Sequence, residues 1–279
     1  MSDIAELIDL ERYPIDQDSA EKQALIADIQ AQLDEVGCAV LKGFLTPLAI
    51  KQITQEADNV AHLAHRSFNR TNPYFTTDDP TLPEDDPRRQ FFDRSNAFIP
   101  ADNFKKTGTL RTIHDFPAFD PFIQSCLRQE KFYRYADPLA DVIINMAEEG
   151  NGFPWHFDTN NFTVTLAIQN ADSGGDFEYA PNIRRDGEAF DEVKEVLDER
   201  SDNVRKLTLE PGDLQLFKGR YSLHRVAPLF GSTPRYVAIF SYVEEPNMVG
   251  SPTRTKQLYG RVLPIHIARA NRRNDSYLD

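Results

Sequence analysis

The chain has 279 residues, 40% of them apolar and 27% charged, and carries a formal net charge of −13. An acidic balance of this size repels a phosphate backbone, so nucleic acid is not an expected partner. No run of 18 apolar residues is present, the opening MSDIAELIDLERY lacks the basic-then-apolar layout of a secretory signal, and Cys38 and Cys126 make no disulfide framework, so a cytoplasmic protein without a membrane partner is expected.

In residues 20–36, Leu25, Ile26, Ile29, Leu33 and Val36 recur at helical spacing, with Asp18 or Ser19 to cap the start and Gly37 to end it. CAVLKGFL (38–45) reads as a short buried strand. Thr46 and Pro47 restart a helix as N-cap and first helical residue, and it is expected to run to about His65. Residues 66–100 then lose periodicity and become rich in Pro, Asp and Asn with interleaved aromatics. Such a stretch is either an active-site cover or a solvated loop. As a cover it would offer Arg66, Arg70, Arg88, Arg89 and Arg94 to clamp a carboxylate.

The second half reads as β-rich. A buried strand is expected at 140–148, with Asn145 on it, and an alternating strand at 162–169. LTLEPGDLQLFKG (207–219) reads as two strands about a Pro211-Gly212 turn, and 235–245 as another strand. An acidic helical insertion lies between, within 186–206, and the tail from Arg254 to Arg273 is basic and helical in part. The expected fold is mainly β with flanking α-helices: a jelly roll or cupin-like barrel in one domain, 1–279. Its parts would be a helix-rich 1–130 with a lid at 66–100, a barrel core at 131–245 and a C-terminal segment at 246–279.

Within the β-rich half, GFPWHFDTNNF sets His156 and Asp158 two residues apart, which puts both on one face of a strand. YSLHRVAP supplies His224 soon after the strand LQLF. Two histidines and one carboxylate form the facial triad that holds non-haem Fe(II) and leaves three coordination positions open. Arg235, eleven residues on, heads the next strand. Its planar fork matches the distal carboxylate of a chelating 2-oxo acid. Asn160 and Asn161 flank the ligands and could bind a substrate carboxylate or amine, although Asn is also a common turn residue. Trp155 flanks them too, but alternation along a strand points it away from His156 and into the core. His62 and His65 are expected on a half-exposed helix face, and His114 and His266 have no partner pattern.

The order of these pieces resembles the Fe(II)/2-oxoglutarate oxygenase superfamily with its double-stranded β-helix. WHFDTNNFTVTLAIQNADSGGDFEYAPNIR, PGDLQLFKGRYSLHRVAP and PRYVAIFSY are especially similar to the free amino-acid halogenases and their hydroxylase relatives, over roughly residues 130–245. The resemblance implies Fe(II) on His156, Asp158 and His224, 2-oxoglutarate on Arg235, and O2 as oxidant. In those halogenases the position matching Asp158 is Gly or Ala, and chloride takes the vacated site. Aspartate here implies hydroxylation of a small-molecule substrate, an amino acid or amine. Lysine-handling relatives have polar groups where this chain has Phe153 and Ile239, which argues against free lysine. The alternatives are a radical halogenase, a non-catalytic metal- or ligand-binding cupin, and a hydroxylase of peptides that uses 66–100 as its groove.

Overall fold

The computed structural model describes residues 3–269. Ser19 caps α1 (Ala20–Val36) by accepting from the Lys22 amide at 3.2 Å, and Gly37 ends it in the left-handed region. Ile26, Ile29 and Leu33 form its buried stripe. After β1 (Cys38–Leu41), Thr46 caps α2 (Pro47–Val60) through the Ala49 amide. This helix stops at Val60 because the chain from His65 is drawn into a strand. His62 therefore sits on a short 3-10 turn and His65 opens β2 (His65–Thr71), not the helical pair expected of them.

Residues 66–100 are not one irregular cover. β2 pairs antiparallel with β3 (Phe92–Ile99), from His65 opposite Phe98 to Thr71 opposite Phe92. The stretch between is tied by Asn72, whose side chain accepts from the Tyr74 and Thr76 amides and donates to the Arg88 carbonyl. β2 is the edge strand of its sheet and exposes Arg66, Phe68 and Arg70, so it lacks the apolar alternation that marks a half-buried strand. Two helices follow, α3 (Thr109–His114) and α4 (Phe119–Leu127), then β4 (Tyr133–Arg134).

The barrel strands are β5 (Val142–Ala147), β6 (Phe153–His156), β7 (Thr163–Gln169), the short β8 (Ser173–Gly174), β9 (Phe177–Ala180), β10 (Arg205–Leu207), β11 (Leu214–Phe217), β12 (Leu223–Val226), the short β13 (Leu229–Phe230) and β14 (Arg235–Phe240). α5 (Phe190–Leu197) interrupts them as expected, and β15 (Tyr242–Val243) pairs with β4. The larger sheet has the order β1-β11-β7-β14-β5-β3-β2 and the smaller β10-β9-β12-β6. The chain crosses repeatedly between the two, which makes a double-stranded β-helix. β10 and β11 do flank the Pro211-Gly212 turn, but they lie in different sheets and do not pair. Gly212 makes this crossing at φ 101°, where a Cβ would press on Ile50.

Alternation along the larger sheet sorts its residues. Ile144, Val164, Leu166, Leu216, Tyr236, Ala238 and Phe240 join the core under α1, α2 and α4. Their neighbours Ile143, Asn145, Thr165, Gln215, Arg235, Val237 and Ile239 face the barrel interior. α6 (Pro252–Tyr259) and α7 (Pro264–Ala268) close one end and supply the helix expected within 254–273, of which the part beyond Arg269 lies outside the described residues. No described helix is long and apolar enough to cross a membrane.

Candidate metal centre and cavity

His156 ends β6 and His224 lies on β12, and the antiparallel register sets the two residues opposite each other. Each Nδ1 faces a backbone carbonyl two residues back, Pro154 O at 2.8 Å and Ser222 O at 2.9 Å. A carbonyl only accepts, so each Nδ1 carries the proton and each Nε2 presents its lone pair. Asp158 Oδ1 lies 3.7 Å from His156 Nε2 and 3.4 Å from His224 Nε2. The three donor atoms fall within 4.8 Å of one another, the one such grouping among the described residues. Two nitrogens and a carboxylate oxygen in a buried cluster fit a divalent transition metal such as Fe(II).

The carboxylate is held from behind. Its Oδ2 accepts from the Thr163 hydroxyl, and its own amide donates to Gly219 O at 3.1 Å. A Cβ on Gly219 would overlap this carboxylate, so glycine is required for Asp158 to lie where it does. Fully buried Arg220 donates to Thr159 O at 2.7 Å and anchors the bend that follows. Burial works against ionisation of Asp158, but the facing imidazoles whenever they take up a second proton, His224 foremost, and the Thr163 hydroxyl outweigh it and hold the carboxyl well below its usual range. Burial foremost, then the charge of Arg94 and any proton taken up by His224, depresses His156 and keeps its imidazole neutral.

A cavity of about 200 Å³ opens beside the triad. Arg235 lines it, is 7% exposed, and has no ion-pair or hydrogen-bond partner among the described residues. Burial lowers it to about 10, against the pull of Asp176. Arg94 is the second such guanidinium. It is 5% exposed, its Nε has no partner, and it lies 4.9 Å from the Phe75 ring and 5.1 Å from the Phe153 ring. Burial and the charge of Arg254 lower it to about 9, with Asp158 opposing. Arg94 lies against the Phe75 and Phe153 rings, whereas the Arg235 side chain passes beside Gly175, so the two guanidiniums have different surroundings in the cavity. Phe75 also lies under Arg254 at 4.7 Å and 5.6 Å from the His156 ring. It takes a left-handed φ of 56°, a strained conformation for an aromatic residue, and its ring is in reach of His156, Arg94 and Arg254.

The structure brings His156, Asp158, His224 and Arg235 to this one place. It does not bring Trp155, Asn160 or Asn161 into the cavity lining among the described residues. Trp155 points to the opposite face of β6, into a cluster with Tyr74, Phe157 and Leu223, beneath Arg225 at 4.7 Å. Asn160 and Asn161 lie on the bend between Asp158 and β7, partly buried. Of the five arginines considered for a clamp, Arg66 pairs with Glu148, Arg70 with Asp93, Arg88 with Asp86 and Arg89 with Asp78, which leaves Arg94. Residues the sequence reading did not single out also line the cavity, among them Phe98, Phe177, Phe217 and Tyr259. The polar Thr165 and Gln215 on otherwise apolar strands were the available signal for its wall.

The sequence model of the family described as halogenase D matches residues 21–257. Among curated proteins none matches the chain in sequence. Among solved structures, a 2OG-Fe(II) oxygenase-family oxidoreductase from Burkholderia pseudomallei aligns over 79% of this chain and 91% of its own, at 14% identity and a TM-score of 0.51. The non-haem α-ketoglutarate-dependent epimerase SnoN from nogalamycin biosynthesis aligns over 80% and 82%, at 12% identity and 0.56. A prolyl hydroxylase from Trichoplax adhaerens, in complex with a hypoxia inducible factor peptide, aligns over 80% and 91%, at 16% identity and 0.51. At these identities the solved structures bear on the fold, which is that of the 2-oxoglutarate oxygenases.

Proposed function

The chain belongs to the halogenase D family, and from that premise we propose that it is an Fe(II)/2-oxoglutarate-dependent dioxygenase that hydroxylates an unactivated C–H of a small amino acid or amine-type metabolite. The observation that carries the choice of hydroxylation is the Asp158 carboxylate, with one oxygen turned toward both histidine Nε2 atoms and the other held by Thr163. In this reading His156, Asp158 and His224 hold the iron. Fe(II) with 2-oxoglutarate and O2 supplies the oxidising chemistry, with release of succinate and CO2. Arg235 neutralises the distal carboxylate of 2-oxoglutarate, which gives its buried charge the partner it otherwise lacks. Arg94 holds a substrate carboxylate where the cavity wall carries Phe153. Phe75 and Phe153 stiffen that guanidinium from below, so the C–H to be oxidised is fixed relative to the metal.

The family assignment favours one other reading, radical halogenation. It requires the Asp158 position to be given up to a halide. Purified protein with Fe(II), 2-oxoglutarate and candidate substrates is expected to release succinate and a hydroxylated product whether or not chloride is present. A chlorinated product, or turnover that requires chloride, selects the halogenase. No succinate with any amino acid or amine overturns the substrate class, and failure to bind Fe(II) and 2-oxoglutarate returns the non-catalytic cupin. Asp158→Gly is expected to abolish hydroxylation, and wild-type turnover in that variant would sink the proposal.

A further inference from the structure

We infer that the substrate is a carboxylate on an uncharged aliphatic chain, and that the site rejects a second cationic group such as a side-chain ammonium. The inference rests on the oxygenase reading above and narrows its substrate class. Asp158 is the one carboxylate lining the cavity among the described residues, and the metal claims it. The other charged groups on the wall are Arg94, Arg235 and Arg254. An ammonium taken out of water there would meet guanidiniums and no counter-ion, an arrangement that costs several kcal/mol in a desolvated site. Beyond the arginines, the polar Asn145, Thr163, Thr165 and Gln215 line one part of the wall, and another part is apolar. Phe98 packs edge-on to Phe153 at 6.1 Å, and Ile143 and Ile239, neighbours across the β5–β14 pair, complete the patch. Phe98, Phe153, Ile143 and Ile239 are therefore the specificity-determining residues, and each added methylene of a bound chain is expected to tighten binding about fourfold against them.

The test is anaerobic titration followed by visible absorption. Fe(II) and 2-oxoglutarate are added to the protein first, and formation of their charge-transfer band examines the oxygenase reading by itself. Without that band the oxygenase reading fails and takes this inference with it. With the band in place, norleucine, hexanoate, lysine and pentylamine are each titrated, and the substrate-induced shift of the band is recorded. Norleucine or hexanoate is expected to half-saturate at roughly tenfold lower concentration than lysine, and pentylamine is expected to leave the band unmoved. The norleucine and hexanoate arms separate an amino acid from a plain carboxylic acid. Ile239→Glu, which puts a carboxylate on the apolar wall, is expected to narrow or reverse the preference over lysine. Should it lose the band, Ile239→Gln replaces it and is expected to weaken norleucine several-fold. A band shifted by lysine or pentylamine as readily as by norleucine and hexanoate overturns the inference while the oxygenase reading stands.

Discussion

A guanidinium that is 5% exposed, lies over two aromatic rings and leaves its Nε unpartnered is held in the fold at a cost. Arg94→Met should therefore stabilise the protein, by about 1–2 kcal/mol in denaturant unfolding, while it removes the substrate-induced change at the metal. Unchanged or lower stability would mean that Arg94 is satisfied within the fold. The opposite case is Gly219, where any side chain overlaps the Asp158 carboxylate. Gly219→Ala is expected to weaken Fe(II) binding roughly ten- to hundred-fold, read by iron titration, with far-UV circular dichroism unchanged. At this scale the grouping of His156, Asp158 and His224, the proposed iron ligands, was legible in the sequence, because few residue types ligate Fe(II) and the spacing of His156 and Asp158 fits a strand. Arg94 was one of five candidates, and nothing in the sequence marks which arginine finds no acid.

Among the elements, α3 carries a titration that can be read from outside. His114 is buried against the Phe240 ring at 5.2 Å, on the strand that also carries Arg235. Burial, reinforced by Arg134, lowers it to about 4. The folded state thus keeps His114 neutral where the unfolded chain would protonate it. Its contribution is present in full above about 6.5 and is lost as pH falls from there toward 4, on the order of 3 kcal/mol. Chemical denaturation across that window should show the slope, and His114→Phe should flatten it. Elements with a buried stripe and caps, α1 and α2, were legible to within a few residues at their starts. β2 and β3 were not, because an edge strand with Arg66, Phe68 and Arg70 in solvent has no alternation to detect. Nor could two strands around Pro211-Gly212 announce that they belong to different sheets, since the turn chemistry is common to a hairpin and a crossing.

Across the whole molecule, the cavity is closed by a segment far along the chain from the triad. α6 brings Arg254, Leu258 and Tyr259 to its wall. The next helix is locked by a buried pair, His266 Nε2 donating to Asp137 Oδ1 at 2.9 Å, while Asp137 also accepts from the Leu139 and Gly250 amides. Removing one member of a buried pair leaves the other uncompensated, typically at about 3–5 kcal/mol. His266→Phe is expected to lower stability by that order and to speed proteolysis after Gly250, with Fe(II) binding retained. Resistance to protease equal to wild type would show that α6 is held by other contacts.

By itself the sequence determined the class of chemistry: His156, Asp158 and His224 in a β-rich half, followed by Arg235, is a pattern set by what Fe(II) and a 2-oxo acid require. The tertiary structure alone decided which side chains share the cavity. Both faces of the larger sheet are covered, one by helices and one by the smaller sheet, so alternation yields two sets of inward residues without telling the core from the binding wall. Whether a buried arginine has an acid beside it depends on packing between strands distant in the chain, and that is fixed only when the barrel closes.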